Sequence, residues 1–321
     1  YMLFLKRLKN QHIAKYIIDF IGIILLVLSL TFSANAQIKN GVLSIKSKTI
    51  SLGDSKINII IYKNKKNPNL ATFVSLHNNE QIGITNLISR IISDGGMLVI
   101  LMPDLSNEGY LCRFVKFKIG DKKYYVDPNR IFDNSKIVVY SSVDCLENSG
   151  EELEDAEQIA IASPKISQFR KNLLRILEVS QARNKNRYLV AFHNNRDLHY
   201  DSSDLIADEA CAKLYSSSRN NQDPTNKSDF FYVTEEQAFS YFSQQDFNVV
   251  WQQKEAIDNP NCNDGSLSIY AQAKQIPYIN LELNYLGEKD EDVGNQFRNA
   301  LTAQKKASEM LNSLFNFLKD R

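Results

Sequence analysis

His77 and Glu80 stand three residues apart in the string His77-Asn78-Asn79-Glu80, directly after the apolar run that begins at Leu70. One turn of chain can bring that imidazole and carboxylate to a single ion, and zinc accepts both ligand types. His193 follows a second apolar run, YLVAF (188–192), and again two asparagines come after it. In open α/β sheets ligands gather beyond the carboxyl ends of the strands, where both histidines are expected. Together His77, Glu80 and His193 read as a His2Glu set that would hold one zinc ion per chain with a fourth position open, the pattern of a hydrolytic site. The competing reading of either histidine alone is a strand-end residue bonded to backbone.

Two more strings carry chemistry. In Ile279-Asn280-Leu281-Glu282-Leu283 a carboxylate interrupts an apolar strand. Such a group is costly unless it is paired, ligated or facing a cleft, which makes Glu282 a general-base candidate, or else an edge residue facing water. In Val126-Asp127-Pro128-Asn129-Arg130-Ile131-Phe132, Asn129 and Arg130 end a strand, where a guanidinium fork could clamp a substrate carboxylate. The plainer alternative is a surface arginine after a turn.

Strand-like and helix-like segments alternate through the chain, which predicts an α/β fold with a mixed, largely parallel central sheet flanked by helices. Runs 56–62, 70–77 and 97–102 read as strands. Ile84, Leu87, Ile88, Ile91 and Ile92 share one helical face, and Asp94-Gly95-Gly96 ends that helix. Gly120-Asp121 suits a type II′ turn in an antiparallel ribbon over 112–127. Residues 144–158 read as an acidic surface loop, 169–177 as a helix, and 201–229 as a long polar loop or insertion. Thr234 to Gln237 has capping-box spacing before a helix. Strands are expected at 247–251 and 278–283, with a short helix between them and one or two closing helices from 291.

These elements sit in a 321-residue chain with 43% hydrophobic and 23% charged residues and a formal charge of +1, usage that fits a globular body rather than disorder. No dense basic stripe is present, so a nucleic-acid partner is not expected. Lys6, Arg7, Lys9 and Lys15, the apolar core Phe20 to Leu30 and Ala34-Asn35-Ala36 read as a signal peptide over 1–36. The expectation is then a mature catalytic domain over 37–321, exported to the periplasm or secreted, with no further membrane span. Cys112, Cys145, Cys211 and Cys262 permit two disulfides in three pairings.

In order along roughly residues 56–290 the chain carries HxxE after a strand, VDxNR with an aromatic two residues on, a strand-end His, and an apolar strand ending Glu-Leu. This order resembles the zinc carboxypeptidase superfamily, including carboxypeptidase A and, more distantly, the aspartoacylase and succinylglutamate desuccinylase branch. The resemblance implies His77, Glu80 and His193 as zinc ligands, Glu282 as general base, and Asn129 and Arg130 as holders of the substrate carboxylate. It also implies Arg113 as the arginine that steadies the oxyanion. Tyr270 is similar in position to a substrate-capping tyrosine, but it lies closer to Glu282 than the digestive enzymes place theirs, which favours reading it as a helix residue in the final strand-helix-strand unit.

The expected activity is zinc-dependent hydrolysis of an amide bond beside a free carboxylate, by a carboxypeptidase acting on peptides such as cell-wall peptides. An N-acyl amino acid amidohydrolase is the close alternative. A non-catalytic exported binding protein, or a disulfide-stabilised envelope protein, would be of another class.

Overall fold

Successive strand residues send their side chains to opposite faces of a sheet, and here both faces are apolar. Phe73, Leu98, Val190 and Leu281 pack in one core cluster, and Val74, Val99, Ala191 and Tyr278 in another. Only strands covered on both sides show that pattern. The structure, a computed structural model, describes residues 41–77, 80, 83–102, 112–145, 149–177, 187–195, 202–203, 205, 208–216, 228–284 and 293–321. The expected signal segment at 1–36 lies outside the described residues.

In chain order the strands are β1 (Leu43–Leu52), β2 (Ser55–Asn64), β3 (Ala71–Ser75), β4 (Met97–Met102), β5 (Val115–Ile119), β6 (Lys122–Val126), β7 (Tyr140–Asp144), β8 (Ser149–Glu152), β9 (Tyr188–Asn195), β10 (Ala212–Tyr215), β11 (Phe230–Val233), β12 (Asn248–Gln252) and β13 (Tyr278–Asn284). The helices are α1 (Ile84–Asp94), α2 (Ala156–Ile176), α3 (Glu236–Gln244), α4 (Leu267–Ala273) and α5 (Val293–Lys319). Nine strands form one mixed sheet in the order β1-β2-β4-β3-β9-β13-β11-β12-β10. Its centre, β4-β3-β9-β13, is parallel throughout. The flanks are antiparallel except for β11 beside β12.

Helices α1, α3 and α5 cover one face through Leu87, Phe242 and Phe315. The other face is covered by α2, through Phe169 and Leu173, and by a four-stranded antiparallel sheet, β5-β6-β7-β8, through Phe117 and Tyr124. The mixed α/β architecture is the one predicted. Because β3, β9 and β13 run parallel, their carboxyl ends lie together, and the small sheet packs on the face that carries His193 and Glu282. No described helix is long and apolar enough to cross a membrane.

Several local expectations hold for the reasons given. Gly95 and Gly96 adopt φ of +124° and +104° after α1, angles that only glycine takes without strain. Gly120 at the β5–β6 turn has φ of +58°. Others are corrected. The acidic stretch 144–158 holds β8 and the start of α2, whose Asp155 caps the amides of Glu157 and Gln158. Its first turns were illegible because they are exposed and α2 contains Pro164. The polar stretch 201–229 contains β10, which closes the sheet edge against β12. The capping box does not form, because Thr234 Oγ1 accepts the amide of Tyr278 at 3.1 Å. Of the one or two helices expected from 291, one is present, α5.

The cysteines pair as Cys112–Cys145 and Cys211–Cys262, across 33 and 51 residues. Closing loops of this length stabilises a fold by about 2–4 kcal/mol per bridge. Peptide mapping under non-reducing conditions should recover these two pairs. Urea unfolding of the Cys211→Ser, Cys262→Ser double variant should show a loss in that range, and other pairings or an unchanged midpoint would contradict the assignment.

Candidate metal centre

The central parallel strands deliver the site. Beyond the end of β3 the chain passes through Leu76 to His77, which is 1% exposed, and turns so that Glu80 comes beneath it at 4% exposure. β9 brings His193, buried within the strand rather than beyond it. Across the β9–β13 ladder, His193 lies directly beside Glu282. His193 and Glu282 face the small sheet by strand alternation, with Ala191 and Tyr278 on the same side, while His77, past the end of β3, reaches it through Asp127.

One carboxylate joins the two histidines. Glu80 Oε1 lies 2.7 Å from His77 Nδ1, and Glu80 Oε2 lies 2.8 Å from His193 Nδ1. The two rings stand 5.0 Å apart. On its far side, His77 Nε2 lies 2.8 Å from Asp127 Oδ1. With a carboxylate at each ring nitrogen, His77 must donate from both, so without a metal it is an imidazolium. Burial pulls its pKa down, but Glu80 and Asp127 outweigh that and raise it. Glu80 would be pushed up by burial, yet His193 and His77 bring it down to about 2.

Asp127 is the second hub. It sits one residue past β6, buried, and its desolvation is overcome by Arg113 and His77, which hold it well below the ordinary carboxylate range. Arg113 donates Nε to Asp127 Oδ2 at 2.8 Å, and the amide of Asn129 donates to Oδ1 at 2.8 Å. Asn129 Oδ1 in turn accepts the amide of Leu267 at 3.3 Å, tying this turn to the start of α4. Arg130 forms an ion pair with Asp264. The bridge Cys112–Cys145 abuts Arg113, and Cys262, of the second bridge, lies two residues before Asp264.

Glu282 accepts a hydrogen bond from Asn280 Nδ2 at 2.8 Å and is 8% exposed. Burial raises its pKa, against the attraction of His193. That suits a group that must take up a proton near neutral pH.

The fit to zinc can be judged from the donors. His77, Glu80 and His193 offer ligand atoms that all lie within 4.8 Å of one another. Both Nδ1 atoms aim at one carboxylate, so a cation placed between them would be met by two nitrogens and an oxygen. His77 is also held from behind by a carboxylate, the partner that commonly fixes a metal-bound imidazole. The set fits a zinc ion.

The structure brings His77, Glu80 and His193 together, with Glu282 beside them and Arg113, Asn129 and Arg130 joined through Asp127 or its turn. Tyr270 is a residue of α4, its ring 5.9 Å from that of Phe132. Asp127, Asp264 and Asn280 had been given no role. The available signal for Asp127 was the one used for Glu282, a carboxylate among apolar residues at a strand end.

No family profile and no curated protein matches the chain. Solved structures are similar to it at low identity. A provisionally named metallopeptidase from Shewanella amazonensis is 13% identical over 92% of this chain and 91% of that one, with a TM-score of 0.38. N-formylglutamate amidohydrolase from Ralstonia eutropha is 10% identical over 82% and 98%, at 0.41. A metallo-carboxypeptidase from Burkholderia cenocepacia is 11% identical over 84% and 65%, at 0.37. With scores of this size, the functional reading rests on the side chains themselves.

Removing a carboxylate that buttresses a ligand histidine typically weakens a metal by about 10- to 100-fold. Asp127→Ala is expected to lose zinc affinity in that range, read by competition with a chromophoric chelator, while His77→Ala retains none. Wild-type affinity in Asp127→Ala would remove Asp127 from the metal site.

Proposed function

We propose that the chain is an exported zinc-dependent hydrolase that cleaves an amide bond next to a free carboxylate, acting as a carboxypeptidase on peptides. The observation that carries this reading is the convergence of His77 and His193 on Glu80, with Glu282 across the ladder from His193. His77, Glu80 and His193 would hold the ion. Zinc bound there supplies Lewis acidity toward the scissile carbonyl and the attacking water.

The remaining roles belong to the chain. Glu282 takes a proton from the attacking water and returns it to the leaving amine, and its raised pKa favours the uptake. Arg130 and Asn129 hold the terminal carboxylate. A guanidinium has five donors in a fork, so Arg130 can keep Asp264 on one edge and present another to substrate. Arg113, anchored through Nε to Asp127, stabilises the developing oxyanion through its terminal nitrogens. Tyr270, packed on Phe132 two residues after Arg130, forms a wall beside that arginine.

Export is supported by the charged and apolar pattern of residues 1–36 and by the two disulfides, which persist in oxidising compartments. Peptides outside the cytoplasm, including those of the cell wall, are then the accessible substrates. An N-acyl amino acid presents the same carboxylate and amide in shorter form, and the same residues would process it.

Zinc-loaded protein assayed on N-benzoylglycyl amino acids and N-acetyl amino acids tests the proposal. Glu282→Gln should keep one zinc per chain and lose about 10²- to 10⁴-fold in kcat. Arg130→Ala should raise KM by roughly 10- to 100-fold, the scale of a lost charged hydrogen bond. Full turnover in Glu282→Gln, or a zinc-loaded wild type inert on both substrate sets, would overturn the hydrolase.

A further inference from the structure

Asn280 stands on the same face of β13 as Glu282, one pleat earlier, and is more than nine-tenths buried. Its Nδ2 donates to Glu282 Oε1 at 2.8 Å. Its Oδ1 is buried without a hydrogen-bond partner among the described residues. The amide orientation follows from chemistry. Turned over, it would set two oxygens against each other, so the atom left unmatched beside the general base is an acceptor.

A buried acceptor without a donor calls for an explanation, and its described neighbours do not supply one. Across the ladders Asn280 lies beside Ala191 on β9 and Tyr232 on β11. Ala191 has no polar side chain. The Tyr232 hydroxyl is spent on Gln252 Oε1 at 2.6 Å, which also accepts Ser268 Oγ at 2.9 Å. Gln252 Nε2 goes to Gln272. This adjoining network is closed on itself, so no described neighbour supplies a donor for Asn280, and a bound ligand can.

The placement says which part of a substrate supplies it. Asn129, beside Arg130, accepts the amide of Leu267, and the next residue, Ser268, shares Gln252 with the hydroxyl of Tyr232, the neighbour of Asn280 on β11. Asn280 thus lies on the sheet floor between the network that leads to the turn of the arginine proposed for the carboxylate and the glutamate proposed for the scissile bond, which it touches directly. The side chain of the carboxylate-bearing residue occupies that interval.

We infer that Asn280 is a specificity-determining residue whose Oδ1 accepts a hydrogen bond from the side chain of the carboxylate-bearing residue, selecting neutral donors, hydroxyl or carboxamide, over apolar isosteres. An acidic side chain would meet lone pairs at Asn280 and the charge of Glu282. This rests on the hydrolase reading and narrows its substrate class. Sites built to bond a substrate hydroxyl or amide reject analogues lacking it far more strongly than apolar pockets discriminate by size.

Two isosteric pairs test it: N-benzoylglycyl-L-asparagine against N-benzoylglycyl-L-leucine, and the threonine against the valine compound. In zinc-loaded wild type, kcat/KM should favour the donor of each pair by about tenfold or more. In Asn280→Leu the ratio should fall to within about threefold of one, and any loss through Glu282 cancels because it is common to both substrates. Calorimetric affinities of the same pairs for metal-free wild type give the preference without turnover and without a variant that must fold. Equal kcat/KM within each pair in wild type, or an undiminished preference in Asn280→Leu, overturns the role of Asn280 and leaves the hydrolase standing. If wild type binds zinc but hydrolyses none of the four, the hydrolase fails, and the binding ratio alone decides whether Asn280 selects the ligand.

Discussion

Glu80 is bound to two histidines, one from the turn after β3 and one from β9, and the rest of the site is organised around that sharing. A buried carboxylate is tolerable only when its charge is met, and here both oxygens are met by imidazole nitrogens at 2.7 and 2.8 Å. The requirement fixes the turn after β3 against β9. It also obliges His77 to find a second anion for its other nitrogen, which Asp127 provides from the small sheet. Positive charge must therefore reside between these groups, as protons or as a metal.

From Asp127 the constraint spreads outward. Its second oxygen holds Arg113, its first also holds the amide of Asn129, and Asn129 reaches the start of α4. The small antiparallel sheet is thus the mount for the groups proposed to hold substrate, while the large sheet mounts those proposed to hold the metal. The two disulfides tie the chain near Arg113 and near Asp264, the partner of Arg130. Placing the charged groups on strands and bridged turns keeps them in register without a large reorganisation cost during reaction.

The legible part of the sequence was the part written in alternation and helical periodicity. The strands that carry His193 and Glu282 are uninterrupted apolar runs because both faces are covered, and a polar residue in such a run stands out. The α1 face was readable for the same reason, all five of its apolar residues being buried. What escaped were elements whose sequence is polar because they lie at edges: β8 is exposed throughout, and β10 pairs on one side only. Asp127 stood out locally only as a carboxylate at a strand end, and its role escaped because its partners lie 14 and 50 positions away. The Thr234 capping box failed because a tertiary bond to the Tyr278 amide claimed its hydroxyl.

The central claim is that two imidazoles and one carboxylate, from the turn after β3 and from β9, bind a single zinc ion. Zinc K-edge absorption spectroscopy on the full chain, reconstituted with one equivalent of zinc, tests it most directly. The account predicts two imidazole nitrogens at about 2.0–2.1 Å with oxygen ligands at about 2.0–2.2 Å and no sulfur. A spectrum with sulfur or with oxygen alone in the coordination shell, or a protein that takes up no zinc, would contradict it.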